Sequence, residues 1–410
     1  MGCYLLKGKV IDSVSDAPIE DGAVLIQDDK IAFAGRGADC PPSDGAELIE
    51  VSDGAILPGF IDCHAHFVGE GPGKADAYTT SHFDLLLNAA HDIGILLDAG
   101  FTSARDMSLF GTHLKKAIAR GVVRGPRIMA GARLLSVTAG HGDMDTRFSV
   151  DYVQQQSPYT YLVDGVAECI KGARLQFREG AEFIKICATG GVSSQVDGLD
   201  DVQFSMEELV AIVAEAERRG TYVAAHCTGN AGAYQALQAG VKSIEHGIYL
   251  DERCIDLMVK NDVTLVTTLS VSLGIPNMKG RLPDWLWEKG CRCAEANRKS
   301  IDLARRAGVR IALGTDYSNS PNTPYAEVGK EFAAIVSAGF TPMEAIKIGT
   351  VNAAHLMKMA DKIGTLEAGK LADVVVTQGN PLEDIHILAH KDRIKAVFKN
   401  GVLEKNTIGQ

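Results

Sequence analysis

The chain has no excess of positive charge: 41 lysines and arginines stand against 52 aspartates and glutamates, for a net charge of −11 at pH 7. Surfaces that bind nucleic acid carry a basic footprint, so nucleic acid is not expected as a partner. Uninterrupted apolar runs of about 18 residues are also missing, and no membrane span is expected. The first residues mix Lys7 and Lys9 into a short apolar stretch too weak for a signal peptide. Nine cysteines form no even, closely spaced framework. Several of them (Cys63, Cys187, Cys227) lie inside apolar strand-like runs where a thiol packs as a small hydrophobe, which points to a reducing, cytoplasmic setting. No Gly-x-Gly-x-x-Gly turn follows the early strands, which counts against a dinucleotide-binding open sheet.

What is present is ordinary globular usage, 46% hydrophobic and 23% charged residues over 410 positions. That excludes a disordered or collagen-like chain and fits one α/β barrel of about 250 residues plus a smaller domain. Short β-rich runs separated by turn residues occur near the start (Leu5 to Ile11, Ala23 to Ile26, Ile31 to Ala34, Glu47 to Val51). Similar runs, Ala372 to Thr377 and Ile394 to Phe398, occur near the end, followed by a Lys399-Asn400-Gly401 hairpin turn. The two ends are expected to meet in one small β-domain, a composite β-sandwich built from residues 1–57 and 361–410.

Between them, residues 58–360 alternate apolar strands with helical patterns. Expected strands are Gly59–His66, Thr102–Asp106, Arg127–Leu135, Phe183–Ala188, Tyr222–His226, Ser243–His246, Val263–Thr268 and Arg310–Gly314. Helices are expected over stretches such as Met206–Arg219, Ala231–Ala239, Glu295–Ala307 and Pro324–Ala338. Eight strand–helix units predict a (β/α)8 TIM barrel. Two long connections, Val68 to Ser81 and Ser136 to Gly165, read as lids or as mobile loops.

His64 and His66 stand at i and i+2 at the end of the first barrel strand, so both imidazoles point to one side. That side is the mouth of a barrel, where two neutral imidazoles make half of a metal site. His226, His246 and Asp316 end or follow three further strands, which brings five polar side chains to one rim. Nitrogen and carboxylate donors of this kind suit zinc or a similar divalent ion. Lys185 lies within the apolar strand Phe-Ile-Lys-Ile-Cys, where desolvation is costly unless something uses the amine. It reads as a snorkelling structural lysine, as an ammonium paired with a carboxylate, or as an amine carboxylated by CO2 to an anionic carbamate able to bridge two metals.

The run Pro58-Gly-Phe-Ile-Asp-Cys-His-Ala-His66, the strand-end His226 and His246, Gly314-Thr-Asp316 and the closing Gly364-Thr-Leu-Glu-Ala-Gly-Lys-Leu-Ala-Asp-Val-Val-Val together resemble the amidohydrolase superfamily. The resemblance covers nearly the whole chain and is strongest to the imidazolonepropionase-related branch of metal-dependent prolidases, carboxypeptidases and ochratoxin-type amidases. It implies two divalent metals, zinc above all. His64, His66 and Asp316 would hold the more buried one, His226 and His246 the second, and Lys185 as N6-carboxylysine would bridge them. Imidazolonepropionase itself uses one metal and lacks that lysine, so Lys185 favours the two-metal, peptidase-like branch.

The implied activity is hydrolysis of the amide bond of N-acyl-L-amino acids or dipeptides by a metal-activated hydroxide, with Asp316 moving the proton and His246 also at the reacting centre. His141 and Tyr234 resemble positions that contact the scissile group or a free substrate carboxylate, although Tyr234 reads equally as a helix residue packed on the barrel. Arg105-Asp106 is either a carboxylate site or a structural ion pair. Cys63 should alternate to the face opposite the histidines, Cys291-x-Cys293 lies in a helical stretch, and Gly190-Gly191 reads as a tight turn. A homo-oligomer is expected. The rival readings are a deaminase or cyclic-amide hydrolase acting on a ring, and a non-catalytic assembly protein.

Overall fold

A computed structural model describes residues 2–70 and 77–409. The β-rich runs at the two ends of the chain join into one seven-stranded sheet, in the order Val402–Asn406, Ile394–Lys399, Val374–Thr377, Glu47–Pro58, Cys3–Val10, Ile19–Gln27 and Lys30–Arg36. Glu47–Pro58 is the shared strand: it runs parallel to Cys3–Val10 and antiparallel to Val374–Thr377, where Leu57 pairs with Val375. The seven strands are hydrogen-bonded into one sheet, and one face buries Leu6, Val24, Ile26, Val374 and Phe398. The expected hairpin turn is present, with φ of 49° at Asn400 and 73° at Gly401, the left-handed pair that Asn-Gly adopts at least cost. A Cβ at Gly401 would lie 1.6 Å from the Asp28 carbonyl oxygen, so this close approach also requires glycine.

The rest of the chain is mixed α/β with parallel strands. One sheet runs Ile311–Ala312, Thr264–Val266, Ser243–His246, Val223–Cys227, Ile184–Cys187, Leu134–Ser136, Thr160–Leu162, and a second runs Phe60–Ala65, Phe101–Asp106, Arg127–Ala130. Backbone hydrogen bonds join them on both sides: Cys63 N to Leu313 O at 2.8 Å and Glu182 N to Ala130 O at 2.7 Å. Among the described residues, no helix is long and apolar enough to cross a membrane.

Four expectations are corrected. The strand expected over Arg127–Leu135 is two strands, broken where Ala132 takes φ 55°, a conformation unusual for a residue with a Cβ. The connection from Ser136 to Gly165 is not bare loop, since it holds the helix Val150–Gln156, capped by Ser149, and the edge strand Thr160–Leu162. The helix expected from Glu295 begins at Asp284, directly after Pro283, and runs to Arg306. The helix expected over Pro324–Ala338 is a short 3-10 turn, Tyr325–Glu327, followed by the helix Lys330–Ser337. For the connection from Val68 to Ser81, residues 71–76 lie outside the described residues.

Parallel pairing aligns the carboxyl ends of neighbouring strands. Cys187 stands opposite His226, and Cys227 opposite His246. That register brings Lys185, His226 and His246 to one edge, and the parallel bridge of Ala65 to Tyr317 sets His64 and His66 beside Asp316.

Candidate metal centre

His64 and His66 leave the strand Phe60–Ala65 on the same side, as a period of two requires. Both converge on one carboxylate: Asp316 Oδ1 lies 3.0 Å from His66 Nε2 and 3.4 Å from His64 Nε2. The three side chains offer donor atoms that all lie within 4.8 Å of one another. Asp316 and His246 have φ of 61° and 67°, left-handed values that few non-glycine residues take, although aspartate and histidine take them more readily than most. Conformations of this kind cost on the order of 1–3 kcal/mol each and persist where the surroundings enforce them, commonly at functional sites.

His64 is fixed from behind. Its Nδ1 lies 2.7 Å from Glu245 Oε2, and a carboxylate accepts only, so Nδ1 carries the proton and Nε2 keeps a free lone pair for a metal. Glu245 Oε1 in turn accepts from Arg105 Nη2 at 2.6 Å, and Arg105 Nε donates to the Cys63 carbonyl at 2.6 Å. Arg105 and Glu245 are both fully buried. Of the two readings of Arg105, the structural ion pair is the one seen. Asp62 completes the mount, accepting from His64 N at 3.0 Å and Thr315 N at 3.1 Å, and burial pushes its carboxyl up to about 7 against those hydrogen bonds. Neither Glu245 nor Asp62 was singled out from sequence.

Lys185 is 2% exposed, lines the same cavity as the histidines, and its Nζ has no hydrogen-bond partner among the described residues. A buried amine without a partner is expensive, so this atom calls for a chemical explanation. Burial pulls its pKa down, and neighbouring charges, with Glu245 and Cys187 opposing, do not cancel that effect. Such a shift raises the share of the neutral amine, the form able to take up CO2. His64, His226 and His246 are likewise held well below the usual imidazole range, first by burial and then by neighbouring cations, which keeps them in the neutral, ligating form. Burial raises the Asp316 carboxyl, but the hydrogen bond to His66 and the neighbouring His64, His66 and Lys185 side chains outweigh it and hold the group below its ordinary value. Neutral nitrogens, an ionised carboxylate and an orphaned amine are a donor set that fits divalent metal.

His226 and His246 lie outside that tight trio but line the same cavity, with ring centroids 4.6 Å apart. His246 Nδ1 meets Thr268 Oγ1 at 2.8 Å, which leaves its Nε2 free of that bond. His226 Nε2 lies 3.3 Å from both the Gly190 carbonyl and Thr228 Oγ1. His141 stacks on His226 at 4.2 Å. Tyr234 is not among the described residues lining the cavity: on the helix Asn230–Ala239 its ring packs against the core and carries the Arg253 guanidinium at 5.1 Å. The cavity measures about 370 Å³. Its apolar lining includes Val271, Ile275, Met278, Leu282 and Leu286, all supplied by the stretch from after Thr264–Val266 to the first turn of the helix Asp284–Arg306.

Comparison with known proteins places this geometry. The chain is 36% identical to the ochratoxinase of Aspergillus niger over 95% of its own length and 84% of that protein's. It superposes on the crystal structure of that ochratoxinase with a TM-score of 0.89 at 34% identity, covering 99% of this chain and 96% of the other. A prolidase solved with N-methylphosphonate-L-proline matches with a TM-score of 0.90 at 31% identity, over 99% of this chain and 100% of that one. An imidazolonepropionase of Mesorhizobium japonicum is 26% identical over 87% of this chain and 86% of its own. The model of the amidohydrolase family, whose members are as a rule metal-dependent hydrolases of amide and other C–N bonds, matches residues 55–403. By that match, and by the His–His–Asp cluster at its strand ends, the chain belongs to the amidohydrolase family.

Proposed function

We propose that the protein is a binuclear metal hydrolase that cleaves the amide bond of N-acyl-L-amino acids or dipeptides bearing a free carboxylate. In this reading the parallel strands close into a (β/α)8 barrel over residues 58–360, and residues 1–57 and 361–410 form the attached β-sandwich domain. The observation that carries the reading is the buried, unpartnered Lys185 amine in the same cavity as His64, His66 and Asp316. His64, His66 and Asp316 would hold one divalent ion, zinc by preference, and His226 and His246 a second. Lys185, as its carbamate, would be a ligand to both. Such ions polarise a carbonyl oxygen and lower the pKa of water to about 7.

The chain's own groups do the rest. Asp316, ionised and with its side chain 32% open toward the cavity, accepts a proton from the attacking water and returns it to the leaving nitrogen as the C–N bond breaks. His246 stands at the same centre with its Nδ1 fixed by Thr268. The wall from Val271 to Leu286 favours a bulky apolar acyl group or side chain, and the names of the ochratoxinase and prolidase relatives support an amide of an amino acid.

Within the cavity the Ser193 hydroxyl, beside His141, can donate a hydrogen bond to the substrate's acidic group. Replacing the α-carboxylate by its amide is expected to lower kcat/KM by roughly tenfold to a thousandfold, the loss of about 1.5 to 4 kcal/mol of charge-assisted hydrogen bonding. Steady-state kinetics on matched acid and amide pairs tests this, and equal rates would refute it.

A further inference from the structure

The side chain of Lys289, on the helix Asp284–Arg306, is directed into the loop that follows the strand Ile184–Cys187. Its Nζ lies 3.1 Å from the Gly191 carbonyl, 2.8 Å from that of Ser194 and 2.6 Å from that of Asp197, with Asp197 Oδ1 at 3.4 Å. An ammonium has three donors, so the three carbonyls use all of them and tie the loop to the helix. Asp197, its side chain 1% exposed, is the hub inside that loop. Oδ2 accepts from Gly191 N at 3.1 Å and from Gln203 Nε2 at 3.3 Å, and Oδ1 accepts from the Ser194 hydroxyl.

These contacts decide the state of the next ring. The groups that meet the Asp197 carboxyl oxygens, Gly191 N–H, Gln203 Nε2, the Ser194 hydroxyl and the Lys289 ammonium, are all donors, as an ionised carboxylate requires. Burial raises the carboxyl, but the Ser194 bond and the Lys289 charge oppose it, and the group is held below its ordinary value. Its proton-free Oδ1 leaves the Ser194 hydrogen nowhere else to be, so Ser194 Oγ offers only lone pairs to His141 Nδ1, 2.8 Å away. Nδ1 must then be an N–H donor. Nε2 is turned to the cavity, 3.3 Å from the Ser193 hydroxyl. The backbone of His141 is held as well, its N–H donating to Gln203 Oε1 at 3.0 Å. A Cβ at Gly191 would lie 2.3 Å from the His141 ring, so glycine there lets the loop close over it.

We propose that Lys289, Asp197 and Ser194 are positioning residues that lock His141 with Nδ1 as donor to Ser194, so that Nε2 is presented as an acceptor for a substrate N–H, beside the Ser193 hydroxyl that is left to donate to the acidic group. The inference rests on the amide-hydrolase reading for its substrate, but not for the state of the ring. Its test has two arms. In the metal-replete protein at mildly alkaline pH, 15N spectra of labelled histidine, with His141→Ala to assign the signal, should report the Nδ1–H tautomer for His141. Ser194→Ala and Asp197→Asn should shift that signal toward a mixture. In kinetics on N-acyl-amino acids, Asp197→Asn should lower kcat/KM by about tenfold to a hundredfold, as loss of an orienting partner does. The same change in the His141→Ala background should cost less than about threefold, since two residues acting through one contact are not additive. Equal losses in both backgrounds, or an unchanged His141 signal in both variants, would overturn the relay. If Asp197→Asn does not fold, Ser194→Ala, which removes a single oxygen, carries both arms. Absence of turnover in the wild type across the amide panel would count against the hydrolase reading instead, and leaves the spectroscopic arm to decide the relay.

Discussion

Lys185→Ala is expected to lose at least about a thousandfold in kcat/KM, because several kcal/mol of transition-state stabilisation depend on the ions it helps to hold, at 1.4 kcal/mol per tenfold. Metal content should fall with activity: two cations brought close without the carbamate between them repel, and the second should bind poorly. Stability of the metal-free protein should rise or hardly change, since there the amine is buried without a partner and its removal relieves desolvation. A variant that folds as well as the wild type but has lost its metal and its turnover separates a functional lysine from a structural one. Acetate or propionate, entering the space left by the side chain, should partly restore activity to Lys185→Ala and do nothing for His226→Ala, which lacks a nitrogen donor instead. Lys185→Ala retaining two metals and near-normal turnover without additive would make the lysine structural.

Glu245→Ala is expected to destabilise the fold by about 3–5 kcal/mol, read as a lower midpoint in urea denaturation, because it leaves a buried guanidinium without its counter-charge. Arg105 is fully buried, and its other acceptors, such as the Cys63 carbonyl and the Ser243 hydroxyl, are neutral. Replacing both members of the pair by apolar residues, as in Arg105→Met with Glu245→Leu, should recover much of that loss, since a well-packed apolar pair is often as stable as a buried ion pair. It should not recover metal affinity, because His64 Nδ1 would still lack the acceptor that fixes its tautomer. Stability within about 1 kcal/mol of wild type for Glu245→Ala would contradict the account of this pair.

The cluster of His64, His66 and Asp316 was legible because strand periodicity and strand ends are local properties of the sequence. Glu245 was not singled out, although it stands in the apolar strand Ser-Ile-Glu-His and the desolvation argument applied to Lys185 holds for it equally. What the sequence hides is its partner: Arg105 lies 140 residues away, and only the folded register brings them together. Tyr234 shows the limit of spacing. Its distance from His226 places it on the following helix but does not say which face it takes, and that face packs on the core and under Arg253. The strand over Arg127–Leu135 breaks where Ala132 takes a positive φ, and the isolated Gly131 beside it was the signal in the sequence for that break. The Lys289 clamp is hidden for the same reason as Glu245, since it joins a helix to a loop some 95 residues earlier through backbone carbonyls that carry no sequence signature.

Elemental analysis of the protein expressed with ample divalent metal, paired with amide turnover on the same samples, tests the central claim most directly. The account predicts close to two divalent ions per chain, loss of turnover on chelation, and its return with zinc, manganese or cobalt in step with metal content. At most one ion per chain, or turnover that chelation leaves untouched, would contradict it.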